Sequence, residues 1–494
     1  MQPVFQIGII GAGFAGIIAA LRLQQSGRNS FVIFEKAAET GGTWRDNVYP
    51  GCACDVPSHL YSISFAPNPH WTRMYSSQAE IWEYMKEVVQ KNDLEKHIRY
   101  HAEIIHYEFV EQEGFWELTD RRGNTTTVRI VIAALGPFSR PRLPNLKGID
   151  SFQGKKLHSA RWDKSYDLRG KRVAVIGTGA SAVQIVPAIA PEVAHLSVFQ
   201  RNAAWISDRS DWEIPAFLKK SLQTFPALQK FIRTLLYSLL EFRGRLFIGN
   251  ALLHKFFTNQ SLKKLNREVH DPELRRKLTP AYQYGCKRIL VADDYWPAFN
   301  RPNVCLETAG IAEITSTGIR TDDGKEYHVD AIIFATGFEV ADFTTEMKVI
   351  GRNGRELLGE WRRASLEAYK GTTISGFPNL AFLLGPNTGL GHSSVLQMME
   401  AQMNYVIAYI SLLESQGEKA YLDLKPAIQR AYNEALQRQF EGTVWASGCK
   451  SWYLNSNGKI TTLYPRLTRQ FRRETAQIDA GEYDLVQNQS GCIF

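Results

Sequence analysis

Two short glycine turns carry the chemistry most directly legible in this sequence. The first places Gly11, Gly13 and Gly16 in GxGxxG spacing, and the second runs Gly177-Thr178-Gly179-Ala180-Ser181-Ala182, with alanine in the third place. In such a turn the first glycine permits the tight bend, the second lets the backbone approach a pyrophosphate, and the third allows close helix–strand packing. The helix N-terminus then faces the phosphates. A lone GxGxxG says little, but each turn here follows a β-rich apolar run and opens a helix, the context the motif requires. The residues one strand later differ in charge: Glu35 follows the first turn, and Arg201 occupies the equivalent place after the second. A carboxylate there accepts hydrogen bonds from a ribose 2′-hydroxyl and repels a 2′-phosphate, which suits FAD or NAD. A guanidinium grips a 2′-phosphate, which argues for NADPH. Two sites of opposite 2′ preference imply hydride transfer between a nicotinamide and a flavin, so the expected cofactors are FAD and NADPH.

The elements that must position these turns are two strand–turn–helix units. One reads FQIGIIGAGFAGIIAALRLQQSG followed by the strand FVIFEK; the other reads KRVAVIGTGASAVQIVPAIA followed by LSVFQRN. A βαβ unit used twice predicts an α/β fold with two doubly wound, Rossmann-like dinucleotide domains. Between them, residues 99–136 alternate around an RRGN turn and predict a small antiparallel meander. Residues 209–285 become helical and rich in Lys and Arg. At YHVDAIIFATGFEV the chain returns to a buried strand. This order predicts an NADP domain (146–208 and 286–332) inserted in a FAD domain (1–145 and 333–494, with the C-terminal region), and a helical insertion at 209–285. A long helix is expected after Ser394, with Ser394 and Gln397 forming an S-x-x-Q capping box.

The bulk properties exclude more than they assign. The chain of 494 residues is 44% hydrophobic and 22% charged, an ordinary globular composition. Its net charge of +8 comes from scattered Lys and Arg, which predicts a solvated basic surface favouring anionic cofactors rather than nucleic acid. The start, MQPVFQIGII, runs straight into a strand without the features of a secretory signal. No apolar run is long enough to span a bilayer. The most hydrophobic stretch, 231–257, is cut by Arg233, Glu241, Arg243, Arg245 and Lys255, and is read first as amphipathic helices packed on the protein, with a membrane-surface or substrate-entry role as the lesser alternative. The six cysteines show no metal-ligand or disulfide spacing, the pattern of a reducing cytoplasm, and Cys492 stands one position too late for a prenylation box.

One further string, FQGKKLHSARWD at 152–163, sets Phe152, Gly154, His158, Trp162 and Asp163 just before the second glycine turn. On residue chemistry alone it is a domain-joining loop with a structural histidine. The whole string closely resembles the fingerprint of type I Baeyer–Villiger monooxygenases, and the resemblance covers nearly the full chain. It implies that the block 41–62 lies along the flavin, with Thr43, Trp44 and Tyr61 as FAD contacts and Asp55 beside the isoalloxazine ring. Lys287 and Arg288 match a pair that reaches the nicotinamide cofactor and the flavin, Arg288 being the active-site arginine. Val395 aligns with a backbone contact to flavin, and Gly391, His392 and Ser393 with the border of the substrate pocket. The segment Ala335-Thr336-Gly337 resembles the family's returning strand, whereas its counterpart Ala134-Leu135-Gly136 departs by a leucine.

The resemblance implies an NADPH- and O2-dependent monooxygenase that converts a small-molecule ketone to an ester or lactone through a C4a-peroxyflavin. A fixed arginine charge beside that peroxide lowers the energy of the anion and of the adduct it forms, and Asp55 would orient Arg288. Two other readings stay open: a heteroatom oxygenase acting on amines or sulfides, and an NADPH oxidase or redox-sensing flavoprotein. Cys52 and Cys54 lie close to the expected flavin, but C-x-C is too short for a redox dithiol.

Overall fold

The computed structural model describes residues 4–340 and 347–487. Its centre is a sheet built on the strand Phe5–Ile10, which pairs in parallel with Phe31–Phe34 on one side and Thr125–Ala133 on the other. Both faces of these strands are covered, which is why they read as unbroken apolar runs rather than as alternation. The order continues through Ile98–Arg99 at one edge and, at the other, Phe115–Asp120, Ile104–Val110 and Lys348–Ile350; Leu380–Phe382 also pairs with Thr125–Ala133. The pairings of 104–110, 115–120 and 125–133 with one another are antiparallel, the meander that the alternating pattern predicts.

A second sheet is wholly parallel, in the order Val304–Glu307, His195–Phe199, Arg172–Ile176, Ala331–Phe334, Lys155–His158. Its strands lie in sequence between Thr125–Ala133 and Lys348–Ile350 of the first sheet, so one α/β unit is inserted in the other. The chain crosses between them twice, and the two crossings lie side by side. Arg142 N donates to Gly337 O at 2.9 Å, Glu339 N to Arg140 O at 3.1 Å, and Thr336 Oγ1 to Arg142 O at 2.5 Å. Gly136 (φ +68°) and Gly337 (φ +83°) take left-handed conformations in the two crossings, a backbone state that costs glycine little. The long helix Val395–Glu414 packs its apolar face on the helix Phe14–Gln25 behind the first turn.

Residues 209–285 form four helices, Ala216–Thr224, Pro226–Gly244, Ala251–Glu268 and Pro272–Leu278. The expectation that their apolar residues are packed on the protein fails in part. Phe231, Leu235, Leu239 and Phe242 are 49–63% exposed, because the inner side of their helix meets the body through polar and charged groups instead. Among the described residues no helix is long and apolar enough to cross a membrane.

Cys286 and Cys449 form a disulfide across a sequence separation of 163, so the expectation of no pairing is overturned. Spacing along the chain carries no information about two segments that meet only after folding. Cys52, Cys54 and Cys305 are free, and Cys492 lies outside the described residues. Reduction of the denatured protein is expected to release two further reactive thiols, those of Cys286 and Cys449. Six thiols without reductant would refute the pairing.

Candidate dinucleotide and reaction site

The two glycine turns are near copies in space. Gly11 (φ +107°) and Gly177 (φ +118°) each bend where a side chain would strike a carbonyl: a Cβ would lie 2.6 Å from Ala134 O in the first turn and 2.4 Å from Ala335 O in the second. Those two carbonyls begin the paired crossings, so each turn is seated against its own hinge. At the middle positions the backbone is open: a Cβ on Gly13 would meet only Gly42 Cα, at 3.8 Å, and one on Gly179 would meet nothing within 4 Å. This is the space a pyrophosphate needs in order to approach the amides at the starts of helices Phe14–Gln25 and Ala180–Ile189. The third positions differ. A Cβ on Gly16 would lie 1.9 Å from Gly11 O, whereas the second turn accommodates the methyl of Ala182, fully buried.

Glu35 is buried (4% exposed) and faces back to the first turn, its Oε2 accepting the Ala12 amide at 2.8 Å and its Oε1 the Ala37 amide at 2.9 Å and Arg45 Nη1 at 3.0 Å. Arg201 is exposed and has no acidic partner among the described residues. It stands near Lys287, whose ammonium is held below its usual range by burial first and by the Arg201 charge second. Two cations without an acid between them fit a 2′-phosphate, as a buried carboxylate beside the other turn fits a ribose hydroxyl. Thr178 Oγ1 donates to Asn202 O at 2.7 Å, which ties the turn to the residue after Arg201.

Between the two turns runs the segment 41–62. Thr43 and Trp44 start the short helix Thr43–Asp46, and the Trp44 indole donates to Tyr61 Oη at 3.0 Å. Tyr61 packs edge-on against Phe14 of the first turn's helix, with ring centroids 5.5 Å apart, and burial pushes its phenol well up. Asp55 and Arg288 meet as an ion pair in which Nε and Nη2 of Arg288 both bond Asp55 Oδ2. The Asp55 charge, its largest influence, raises the guanidinium pKa further above its already high value. The Arg288 side chain remains 39% exposed, and its Nη1 has no hydrogen-bond partner among the described residues. The buried Tyr453 lies near the pair, and its phenol is pushed up to about 12 by burial, against the pull of Arg288.

What holds this loop to the second unit is a residue that its sequence context did not reveal. Gln184, on the helix that follows the second glycine turn, donates to Ala53 O at 2.9 Å and accepts from Tyr49 Oη at 2.9 Å and from Ala53 N at 3.4 Å. Gly51 (φ +79°) lets the loop lie against the same helix, since a Cβ there would sit 2.5 Å from Gln184 O. A glutamine one turn into an amphipathic helix is unremarkable in sequence; only the partner backbone gives it meaning. Cys52 and Cys54 lie in this loop, and burial raises both thiols, Cys52 to about 12, so neither is a thiolate near neutral pH.

The string 152–163 folds as an edge and a turn. Lys155–His158 is the last strand of the second sheet, and Gly154 fits beneath Phe152, where a Cβ would be 2.5 Å from the ring. Asp163 accepts from Lys155 Nζ at 2.5 Å, and from the Ser165 hydroxyl at 2.5 Å and amide at 3.0 Å, which together bring its carboxyl down to about 2. Trp162 packs, partly buried, against the second unit's core. His158 Nδ1 accepts the Ala160 amide at 3.0 Å, and its ring meets Phe338 edge-on at 6.4 Å, so the string buttresses the paired crossings.

Val395 opens the long helix, capped by Ser394 Oγ, which accepts the Leu396 amide at 3.3 Å. The expected capping box is incomplete: Gln397 Oε1 is buried without a hydrogen-bond partner instead of returning a bond to Ser394. His392 is bonded through Nε2 to Glu241 of the helical insertion at 3.0 Å, a tether rather than a free base. A cavity of about 560 Å³ lies between the loop 59–67 and helices Pro226–Gly244 and Val395–Glu414, lined by none of the glycine turns, Asp55 or Arg288.

Two matching glycine-turn cradles, one beside a buried carboxylate and the other beside two cations, with a half-buried ion pair between them, form the arrangement of a dinucleotide-dependent oxidoreductase. The chain belongs to the flavin-binding monooxygenase-like family, whose model matches residues 5–354. It is 44% identical to a Baeyer–Villiger monooxygenase of Streptomyces coelicolor over 98% of this chain and 93% of that one. It is 46% identical to a Baeyer–Villiger monooxygenase of Pseudomonas aeruginosa, over 97% and 91%. Among solved structures it resembles OTEMO in complex with FAD and NADP (28% identity, TM-score 0.89, covering 98% of this chain and 100% of that one). It also resembles cyclohexanone monooxygenase from Rhodococcus sp. Phi1 bound to NADP+ (28%, TM-score 0.87, covering 98% and 99%).

Gln184→Ala would leave the Ala53 amide and carbonyl and the Tyr49 hydroxyl without their partner, a cost of about 1–3 kcal/mol at this contact. The variant is expected to retain flavin, because no flavin-side residue changes, but to be reduced by NADPH several-fold more slowly in stopped-flow. An unchanged reduction rate would show that the contact does not set the spacing of the two units.

Proposed function

We propose that this protein is an NADPH- and O2-dependent Baeyer–Villiger monooxygenase that converts ketones to esters or lactones. The observation that carries the reading is the Asp55–Arg288 pair placed between two cradles that fit FAD and NADPH, in a chain whose full-length relatives bear that name. In balance, ketone, O2, NADPH and a proton give ester or lactone, NADP+ and water. Bound FAD supplies the redox chemistry: hydride is accepted from NADPH, and one oxygen atom is delivered to the carbonyl carbon.

The residues of the chain have separable tasks in this reading. The amides at the start of helix Phe14–Gln25, with Glu35, hold the FAD pyrophosphate and ribose. Thr43, Trp44, Tyr61 and Val395 line its flavin end. The amides of Gly179, Ala180 and Ser181 take the NADPH pyrophosphate, and Arg201 with Lys287 takes the 2′-phosphate. Arg288 presents the unpartnered Nη1 to oxygen atoms that gain negative charge as the carbonyl is attacked. Its pKa, raised by Asp55, keeps it from giving up a proton to an anionic oxygen, so the charge persists through the reaction. Asp55 positions Arg288 and offsets the desolvation of its charge.

Arg288→Ala is expected to retain flavin and to lose ketone conversion by roughly a thousandfold, the cost of removing a preorganised charge from a developing oxyanion. Product analysis after NADPH turnover checks this; full ketone turnover in the variant would sink the assignment. Sulfide oxidation retained at the wild-type rate, with no ketone product from either protein, would instead identify a heteroatom oxygenase. Arg201→Ala is expected to raise KM for NADPH about tenfold, equivalent to about 1.4 kcal/mol, while leaving KM for NADH unchanged. Equal effects on both coenzymes would remove Arg201 from the 2′-phosphate.

A further inference from the structure

The helical insertion carries a surface that the oxygenation chemistry does not use. Of the fourteen large hydrophobic side chains exposed on the described residues, ten fall between Trp212 and Phe256. Phe231, Leu235, Leu239 and Phe242 recur at helical spacing along Pro226–Gly244 and form one outward stripe, with Phe225 (60% exposed) just before it and Phe256 (59%) on the next helix. A patch of this kind on a folded protein marks an interaction surface. The helix is not a loose element waiting to turn its apolar side inward. Its inner side is held by Arg233, which donates to His59 O at 3.1 Å and Ser62 O at 2.9 Å, and by Glu241, which takes His392 Nε2 at 3.0 Å and the Thr468 amide at 3.1 Å.

Charge selects the occupant. From Ile214 to Arg267 the sequence has ten Lys or Arg residues and a single acid, Glu241, which is turned inward. Lys220, Lys230, Arg245, Lys255 and Lys263 are exposed and have no acidic partner among the described residues, and Arg245 stacks over the ring of Phe242 at 5.4 Å. A two-fold pairing of this face with a second copy would set this run of cations against itself, since its one acid, Glu241, is turned inward. An apolar stripe flanked by unpaired cations instead matches the boundary of an anionic bilayer, where rings enter the acyl region and ammonium groups meet lipid phosphates.

We propose that the helical insertion is a peripheral membrane-docking surface that seats this protein on anionic lipid. The holoenzyme is expected to float with vesicles of phosphatidylcholine mixed with phosphatidylglycerol, to bind pure phosphatidylcholine weakly, and to be released by salt. Phe231→Ser with Leu235→Ser should abolish flotation. Lys220→Glu with Lys230→Glu should weaken partitioning on the order of fivefold or more per residue. Both variants should keep flavin content and ketone turnover in detergent-free buffer, which separates a lost surface from a lost fold. Failure of the wild-type holoenzyme to float with anionic vesicles would overturn the proposal. So would serine variants that float as the wild type does but elute from gel filtration at half its mass, since that result would make the face a dimer interface.

Discussion

Asp55 and Arg288 belong to different units of the chain, so their ion pair exists only if the two dinucleotide cradles dock in one register. The pair is partly open to solvent, with side-chain exposures of 24% and 39%, and such a pair by itself contributes little to holding two bodies together. The docking force has to come from elsewhere. It comes from the loop 49–55 lying on helix Ala180–Ile189, where Gln184 engages both the amide and the carbonyl of Ala53 and takes the Tyr49 hydroxyl as well. These bonds are directional and partly buried, so a shift of the helix by a fraction of a turn would leave several polar groups unpaired at once. Helix Ala180–Ile189 also begins at the second glycine turn. The same rigid rod thus fixes where the second glycine turn and the Asp55 loop sit relative to each other.

The paired crossings make the same point from the opposite side. Each first glycine is pressed on the carbonyl that opens a crossing, Ala134 for Gly11 and Ala335 for Gly177. The crossings in turn bond to each other through Arg140, Arg142, Gly337 and Glu339. Rotation of one unit against the other therefore disturbs both phosphate cradles through their hinges. His158 and Phe338 pack where the crossings meet, so the 152–163 string buttresses them. The leucine in Ala134-Leu135-Gly136 is harmless for the same reason: the backbone of Ala134 and the left-handed Gly136 do the structural work.

Features that depend on local backbone demands were legible in the sequence. The glycine spacings, the strand–turn–helix context and the exchange of Glu35 for Arg201 all follow from what a few consecutive residues must do, and the two turns form where they predict. Features that depend on distant segments were not. Gln184 is one polar residue in a helix until Ala53 is folded against it. Cys286 and Cys449 have no recognisable spacing, because their proximity is a property of the tertiary fold. The S-x-x-Q signal at Ser394 failed for a related reason: Gln397 is drawn into a buried environment by its neighbours, and only the serine half of the cap forms. In the helical insertion, periodicity marked an amphipathic helix correctly but could not say which side the protein covers. Arg233 and Glu241, which look like interruptions of an apolar stretch, are the residues that face inward.

Cys286, two residues before Arg288, is bonded to Cys449 in the C-terminal segment, and the same segment carries Tyr453 beside the ion pair. The insertion's Phe247 stacks on Trp445 of that segment at 5.4 Å, and Val444 donates to Phe247 O at 3.0 Å. Arg288 is thus fixed by Asp55 in front and, behind, by a layer shared between the helical insertion and the C-terminal segment. The insertion that turns apolar residues outward is packed on its inner side against the C-terminal segment that backs Arg288.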